Sequence, residues 1–85
     1  MEIVLKDASA GPVYLQIRQQ IENQIGEKIL VSGSPLPSLE SLVRRLAVDR
    51  GEIQRAYFEL EQAGLITRTS TKDFLGKLKT TYSVK

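Results

Sequence analysis

An apolar residue at every fourth position is the feature that most restricts what this chain can fold into. Five residues form this stripe: Val13, Ile17, Ile21, Ile25 and Ile29. A spacing of four keeps side chains on one face of an α-helix, and polar residues fill the other face. Pro12 suits a first helical position, and the segment 32–35 contains glycine and proline, which end helices. The sequence therefore predicts an amphipathic helix from Pro12 to about Leu30, with Ile21 and Ile25 buried.

A second helix is predicted after a short loop. Ser38 is a favourable N-cap residue, because its hydroxyl can accept a hydrogen bond from a free backbone N–H of the first turn. Four apolar residues then repeat with helical spacing: Leu39, Leu42, Val43 and Leu46. The pattern predicts a helix over about 38–46.

A third helix is predicted almost immediately afterwards. Asp49 and Glu52 form an acidic variant of the capping box. Apolar residues with helical spacing follow: Ile53, Ala56, Tyr57 and Leu60. We predict a helix over about 49–63, ended by Gly64. Because only two residues separate the second and third helices, the pair has the spacing of a helix-turn-helix.

The composition changes after the third helix. Residues 65–75 are rich in β-branched residues and have a polar centre at 69–73, which indicates a β-hairpin over this segment. Phe74 is expected to anchor the hairpin to the core.

The order of these elements defines an architecture. Helix, short helix, tight turn, helix and hairpin is the order of a winged helix-turn-helix. The predicted fold class is mainly α with a small β-hairpin (α+β), three helices plus a wing, over residues 12–76. Residues 1–11 are interpreted as an N-terminal segment or a short strand around residues 3–5, and residues 77–85 as an edge strand or a tail.

Composition excludes several classes of function. The 85 residues contain no cysteine and no histidine, so disulfide frameworks, thiolate nucleophiles, zinc fingers and histidine general bases are ruled out. A chain of this length has room for one domain. The sequence has no glycine-rich phosphate loop, and its amino terminus lacks the pattern of a signal peptide. We therefore expect a cytoplasmic binding domain rather than an enzyme, with no cofactor, no metal and no membrane contact.

Charge is distributed unevenly along the chain. Residues 1–40 carry three cations and five anions, a net −2, whereas residues 41–85 carry nine cations and five anions, a net +4. A positive excess in one half can mark a surface for nucleic acid, and a solvated face can produce it as well.

Four short motifs lie in register with a known family. They are Pro12-Val13-Tyr14-Leu15-Gln16-Ile17, Leu36-Pro37-Ser38, Ile53-Gln54-Arg55-Ala56-Tyr57 with Leu60-Glu61, and Gly64-Leu65-Ile66. In this order and spacing, over roughly residues 12–75, the chain resembles the amino-terminal DNA-binding domain of GntR-type bacterial transcription regulators. The resemblance implies a domain that binds double-stranded DNA and regulates transcription, as a homodimer or inside a larger assembly.

The helix order and the resemblance together give a set of candidate DNA-binding residues. They are Ser38, Arg44, Arg45, Arg50, Gln54, Arg55, Arg68 and Lys72. We expect the helix over 49–63 in the major groove and the wing over 65–75 on the minor groove or the backbone. Arginine can bind guanine O6 and N7 through two hydrogen bonds, and glutamine can bind adenine. The wing cations are expected to contact phosphates.

Other interpretations of the same residues stay open. Arg50, Gln54 and Arg55 also fit a solvated helix face without a partner. Arg44 and Arg45 close the second helix, where cations stabilise the negative end of the helix dipole.

Three departures from the family pattern favour an alternative function. Glu40 occupies a position at which family members usually carry an arginine near the DNA backbone. Asp49 and Glu52 bring carboxylates to the start of the third helix, and the wing segment 69–74 lacks the family's glycines. The alternative is a winged helix that no longer reads DNA and serves as a protein-interaction module.

Overall fold

A computed structural model describes residues 1–7, 9 and 11–85 of the chain. The described residues form three helices and three strands: α1 Val13–Gly26, β1 Pro35–Leu36, α2 Leu39–Leu46, α3 Arg50–Gln62, β2 Ile66–Lys72 and β3 Leu78–Val84. This order confirms the predicted winged helix-turn-helix. Residues 8 and 10, which belong to the predicted segment 1–11, lie outside the described residues. In the described ranges, no helix has the length and apolar character needed to cross a membrane.

The apolar stripe of α1 packs mainly through its middle. Ile17 and Ile21 are fully buried, whereas Val13 and Ile25 are only half-buried against the core. A step of four residues turns about 40° past a full helical turn, so a stripe at this spacing drifts around the helix and only its centre faces the core. Burial is therefore confirmed for Ile21, while Ile25 lies at the margin of the buried face.

α1 ends earlier than predicted, at Gly26 instead of near Leu30. Lys28 adopts a left-handed backbone with φ of 60°, and the N–H groups of Ile29 and Leu30 both donate to Gln24 O, at 2.9 and 3.0 Å. This reversal of the chain buries Leu30 and turns Ile29 outward, where it is 64% exposed. The prediction was wrong because the drifting stripe gives Ile29 no core to pack against.

The second and third helices form the predicted helix-turn-helix. Ser38 Oγ accepts a hydrogen bond from Ser41 N at 3.1 Å, which confirms Ser38 as the N-cap of α2. Ala47 ends α2 with a left-handed backbone, φ 54°. The left-handed residue turns the chain sharply, so α3 begins after Asp49.

The predicted capping box of α3 is wrong. Within the part of the chain that the structure describes, the Asp49 side chain accepts no capping hydrogen bond. The Glu52 carboxylate instead accepts from Tyr14 N at 2.9 Å, in the first turn of α1. The N-cap of α1 is Pro12, whose side chain has no acceptor. Glu52 therefore caps a neighbouring helix, which places a negative charge where the helix dipole favours it.

The three strands form one antiparallel sheet in the order β1-β3-β2. Strand β2 pairs with β3 from Ile66 opposite Val84 to Lys72 opposite Leu78. The hairpin therefore runs well beyond the predicted segment 65–75, and the polar centre at 69–73 lies largely within β2. Residues 77–85 are neither an edge strand nor a tail, because β3 is the middle strand of the sheet.

The predicted anchoring role of Phe74 is also wrong, since this side chain is 95% exposed at the turn of the hairpin. Ile66 and Val84 fill the core at the base of the hairpin instead, and they are 2% and 4% exposed. The polar run in β2 is compatible with a strand because both faces of the hairpin beyond its base are in solvent.

The core lies between the three helices and the base of the sheet. Its buried apolar members are Ile17, Ile21, Leu30, Leu36, Leu39, Leu42, Ile53, Ala56, Tyr57, Leu60, Ile66 and Val84. Tyr57 is the largest of the fully buried side chains. Its hydroxyl donates to Pro37 O at 2.8 Å, and its ring meets the edge of Tyr82 with centroids 4.7 Å apart. Burial raises the pKa of the Tyr57 phenol, which stays protonated and holds the loop before α2 against α3.

The amino-terminal segment lies along α1 in an extended conformation, although it pairs with no strand in the described residues. Three glutamines spaced four apart on α1, Gln16, Gln20 and Gln24, bond the main chain of residues 6, 4 and 2 respectively. Gln20 binds Val4 twice, with its Oε1 accepting at 2.9 Å and its Nε2 donating at 2.7 Å. The side-chain amides thus take the place of the strand that was predicted around residues 3–5.

Candidate nucleic-acid interface

A groove of about 500 Å³ opens between the start of α2, the outer face of α3 and strand β3. Its lining residues are Ser38, Leu39, Glu40, Arg50, Gln54, Arg68, Leu78, Lys79, Thr80 and Tyr82. Four of the eight residues predicted from the sequence therefore line one groove: Ser38, Arg50, Gln54 and Arg68. Arg44, Arg45, Arg55 and Lys72 are not part of its lining.

Arg50 and Gln54 project from α3 on one face, because residues four apart are neighbours on a helix. The Arg50 guanidinium pairs with Glu40 Oε1 across the helix-turn-helix, with Nε and Nη2 both at 3.2 Å. The backbone N–H of Glu40, at the open start of α2, lowers the pKa of the Glu40 carboxyl, and Arg50 lowers it further. Glu40 is therefore ionised at neutral pH, and it orients the arginine at the entrance of the groove.

The wing supplies the opposite wall of the groove. Arg68 on β2 approaches Glu61 with its Nε 3.6 Å from Oε2, and it lies opposite Tyr82 on β3. Lys79 and Thr80 on β3 complete this wall. The cations of the lining, Arg50, Arg68 and Lys79, exceed its single anion, Glu40, by two. With Glu61 counted against Arg68, the excess is one, so the groove still carries a net positive charge.

Lys79 and Thr80 were not among the candidate DNA-binding residues, because residues 77–85 were not assigned to the hairpin. A signal was present, since Thr80, Thr81, Tyr82 and Val84 are residue types that favour strands. A hairpin drawn over 66–84 would have placed Lys79 beside the predicted wing cations.

Arg55 lies at a different place on α3. Its guanidinium carbon sits 3.8 Å from the centroid of the Tyr14 ring, and its Nε is 3.3 Å from Glu59 Oε2. Arg18 of α1 bonds the other oxygen of the same carboxylate. We call these four residues the seam, because they join α1 to α3. The hydrogen bond from Arg18 lowers the pKa of Glu59, with Arg55 adding to the shift.

The remaining predicted residues lie outside the groove lining. Arg44 and Arg45 occupy the last turn of α2, where they complement its negative end. Arg45 Nη2 also donates to Met1 O at 3.3 Å. Lys72 is exposed at the outer end of β2, opposite Leu78.

One carboxylate that the sequence predicted for this surface, that of Glu52, lies elsewhere in the structure. Glu52 points to the first turn of α1, where it accepts from Tyr14 N. Asp49 is exposed and is not part of the groove lining. Glu40, paired with Arg50, is therefore the carboxylate that the groove contains.

Comparison with known proteins agrees with this geometry. The family described as "Bacterial regulatory proteins, gntR family" matches residues 13–74, well over half of the chain. The chain belongs to the GntR family. The match spans all three helices and strand β2 of the wing but not β3, and it includes every residue of the seam and six of the ten residues that line the groove.

Relatives of this GntR domain are transcription regulators by name. The HTH-type transcriptional regulator YhcF of Bacillus subtilis is 36% identical over 70 residues, which cover 81% of this chain and 58% of that protein. The HTH-type transcriptional repressor YtrA of the same organism is 33% identical over 64 residues, which cover 75% of this chain and 49% of that protein. The chain thus spans about half the length of these relatives.

Solved structures share the fold of the GntR domain. YtrA from Sulfolobus acidocaldarius, a GntR-family transcription factor, superposes with a TM-score of 0.76 at 31% identity, covering 99% of this chain and 78% of that one. The DNA-binding domain of AraR, solved in complex with operator ORR3, superposes with a TM-score of 0.63 at 22% identity, covering 87% of this chain and 80% of that one. The second likeness concerns the fold alone.

Proposed function

We propose that the domain binds double-stranded DNA and acts as a transcription regulator, without catalysing a reaction. The observation that carries the proposal is the single positive groove that joins Arg50 and Gln54 of α3 to Arg68 and Lys79 of the wing. The regulator names of its relatives support it. We further propose that the protein works in the cytoplasm, where bacterial DNA is found.

The residues of the groove divide into two roles. Arg50 and Gln54, near the start of α3, are proposed to reach base edges in the major groove, because the first turns of a recognition helix approach the bases. Arg68, Lys79 and the hydroxyl of Ser38 are proposed to contact phosphates, which fix the register of the protein on the duplex.

Residues outside the groove have separate roles in this proposal. Arg44 and Lys72 are exposed outside the groove lining, and we propose that they add phosphate contacts. Arg45 is bonded to Met1 O, and Arg55 is held against Tyr14 and Glu59. We therefore leave these two outside the proposed interface.

We propose that Glu40 tunes the groove. Its pairing with Arg50 gives the guanidinium a partner before DNA arrives, so a duplex must offer Arg50 a better partner than Glu40 does. The same carboxylate repels phosphates, so it weakens binding to duplexes in which Arg50 has no guanine to bind. The departure from the family arginine then favours specificity over total affinity.

A homodimer, or a place in a larger assembly, is part of the proposal. A single module of this size buries only about 600–1,000 Å² of protein surface on DNA, which limits its affinity. Two copies bound to half-sites about 34 Å apart make enough contacts for a specific complex.

The decisive test compares two arginines on the same helix. Arg50 and Arg55 are separated by roughly 140° around α3, given 3.6 residues per turn. A preferred duplex is first selected from a random library, and its affinity and that of single-base variants are measured by fluorescence anisotropy. Arg50→Ala should remove about 1–3 kcal/mol of discrimination at one base position. Arg55→Ala should leave that discrimination unchanged.

Two results would contradict the proposal. If the wild-type domain shows no saturable duplex binding at about 50 mM salt, where electrostatic attraction to DNA is strong, the domain does not bind DNA. The groove would then be tested as a binding surface for a protein, as in the alternative interpretation. If Arg55→Ala relaxes specificity and Arg50→Ala does not, the seam and not the groove faces the bases.

A further inference from the structure

The tip of the hairpin carries the most exposed apolar surface of the described residues. Phe74 is 95% exposed, Leu75 67% and Leu78 70%. Phe74 and Leu75 are adjacent in the turn, and Leu78 opens strand β3 beside them. Single exposed apolar residues are common on proteins, but a phenylalanine and two leucines together at a protruding end are typical of an interaction site.

The turn that presents these side chains is held by hydrogen bonds. Asp73 Oδ1 accepts from Leu75 N at 2.9 Å and from Lys77 N at 3.0 Å. The main chain closes the turn, with Asp73 N donating to Lys77 O and Gly76 N donating to Asp73 O, both at 3.0 Å. Gly76 supplies the positive φ of 81° that the turn needs. The apolar pair is thus displayed on an ordered support.

The hairpin extends far enough from the body to enter a groove of DNA. From the Arg68–Tyr82 pair to the Lys72–Leu78 pair there are four residue steps, a length of about 14 Å at 3.4 Å per residue. The minor groove of B-DNA is only about 7.5 Å deep. The base of the hairpin can therefore stay on the helices while its tip reaches the floor of the groove.

The charges around the tip indicate which kind of partner it binds. Three exposed lysines surround the apolar residues: Lys72, Lys77 and Lys79. The only carboxylate in the turn is Asp73, whose Oδ1 already accepts two backbone N–H groups. Leu78 and Lys79 also line the 500 Å³ groove, so the tip continues the candidate interface without a break. An apolar end ringed by cations on a DNA-facing surface matches the phosphate-lined minor groove.

We infer that Phe74 and Leu75 form an apolar wedge that enters a base step from the minor groove and kinks the duplex. This inference rests on the proposed DNA binding. Proteins that insert phenylalanine or leucine between base pairs unstack the step and bend DNA toward the major groove by about 20–90°. The lysines bind the phosphates on both sides of the step. The affinity of the wing therefore depends on how easily that base step unstacks. Steps such as TA and CA unstack most readily, so they are the expected targets.

Bending is tested with duplexes that carry the selected site and a fluorophore at each end. The wild-type domain should increase energy transfer on binding, and 2-aminopurine placed at the wedged step should brighten several-fold as it unstacks. The double variant Phe74→Ala, Leu75→Ala should still bind the duplex, with both signals reduced to the level of free DNA. Its melting temperature should match the wild type, since both side chains are exposed.

A control pair of exposed apolar residues lies elsewhere in the chain. Ile29 and Val31 are 64% and 55% exposed and do not line the groove. The double variant Ile29→Ala, Val31→Ala should bend DNA as the wild type does. If it abolishes bending as well, the effect is not specific to the wing tip and the wedge is wrong.

The outcomes separate the wedge from DNA binding itself. If the wild type does not bind duplex, the proposed function fails. If it binds without bending and without a change in 2-aminopurine fluorescence, the wedge fails and the proposed function stands. If light scattering instead shows that the Phe74→Ala, Leu75→Ala variant loses self-association while bending persists, the tip joins two copies of the chain and the wedge is overturned.

Discussion

Helix α3 uses the same kind of ion pair on two sides for different purposes. At the seam, Glu59 is shared by Arg18 and Arg55, and the ring of Tyr14 covers Arg55. In the groove, Arg50 meets Glu40 in a single pair whose side chains are 55% and 65% exposed. The seam side chains of Arg18 and Glu59 are only 29% and 27% exposed. Arg55 is itself 59% exposed, so the shared carboxylate and the Tyr14 ring, rather than burial, hold it in the seam. Arg50 has one exposed partner, which the proposed DNA binding would require it to exchange.

The comparison explains why only one face of α3 is available. An arginine that already has a carboxylate and an aromatic ring loses both when it turns to a base. Arg50 loses one solvated carboxylate, and pairs of that kind contribute little to stability. The neighbours of each arginine, rather than the residue type, therefore decide which arginine of α3 is free to change its partner.

The largest expected effect is a loss of stability when a core side chain of α1 is removed. Ile21→Ala removes a fully buried side chain from α1 and should lower the free energy of unfolding by about 2–5 kcal/mol, through lost transfer energy and the cavity left behind. Urea denaturation measures the change. The matched control is Ile29→Ala, an exposed isoleucine of the same chain, which should change it by less than about 0.5 kcal/mol. A loss below about 1 kcal/mol for Ile21→Ala would contradict the described core.

Removing one hydroxyl tests how α3 holds the loop that begins the groove. Tyr57→Phe deletes the bond to Pro37 O and should lower the free energy of unfolding by about 1 kcal/mol. Duplex affinity should fall as well, because Pro37 precedes the cap of α2. Tyr14→Phe is the control, since the Tyr14 hydroxyl has no hydrogen bond within the described residues. Equal losses in both variants would show that the Pro37 bond does not position the loop.

A change of charge at Glu40 tests the exposed ion pair of the groove through its effect on duplex affinity. Glu40→Arg replaces a phosphate-repelling group with a cation and should strengthen binding to all duplexes. The slope of log affinity against log salt should steepen by about one unit, as expected for one added phosphate contact. Discrimination between duplexes should fall, since Arg50 no longer has to give up a carboxylate partner when it binds a base. If affinity and salt slope are unchanged, Glu40 lies away from the DNA.

The smallest expected effect concerns the seam and depends on pH. Glu59→Gln should lower the melting temperature at neutral pH, because two arginines lose their shared anion. The pKa of Glu59 is lowered in the folded protein, so its contribution is fully present above the usual carboxyl range and disappears as pH falls through the folded pKa. The difference between wild type and variant should therefore vanish in acid.

Glu22→Gln provides the control for the seam. Glu22 pairs with Arg18 at 3.3 Å and is 37% exposed, with no second arginine against it in the described residues. Its replacement should lower the melting temperature less than Glu59→Gln does. A larger effect at Glu22 would mean that sharing of the carboxylate does not strengthen the seam.

The elements that could be predicted from the sequence are those set by local periodicity. The apolar spacing of α1, α2 and α3 is read from neighbours along the chain, and the cap at Ser38 depends on atoms three residues away. The hairpin was misjudged because its strands have few buried positions, so β2 lacks the alternation that marks a half-buried strand. The polar run 69–73 then resembled a turn, and the true turn at 73–77 was missed.

The candidate site was predictable only in part for a related reason. Arg50 and Gln54 follow from the position of α3 in a helix-turn-helix. The partners that distinguish the two arginines are Glu40 for Arg50 and Tyr14 for Arg55, and each lies ten or more residues away along the chain. Glu52 is the clearest case, because local sequence predicts a cap for its own helix and tertiary packing gives it to α1. Contacts of this kind depend on how the helices pack.

The glutamines that hold the amino-terminal segment connect a helix to a main chain whose repeat has a slightly different length. Four residues of α1 rise about 6.0 Å, whereas two residues of an extended chain advance about 6.6–6.8 Å. Each further glutamine therefore falls about 0.7 Å behind its main-chain partner, and a fourth would be about 2 Å out of register, beyond what a hydrogen bond tolerates. A helix can thus imitate the edge of a sheet over about three contacts, which is the number that α1 makes with the segment.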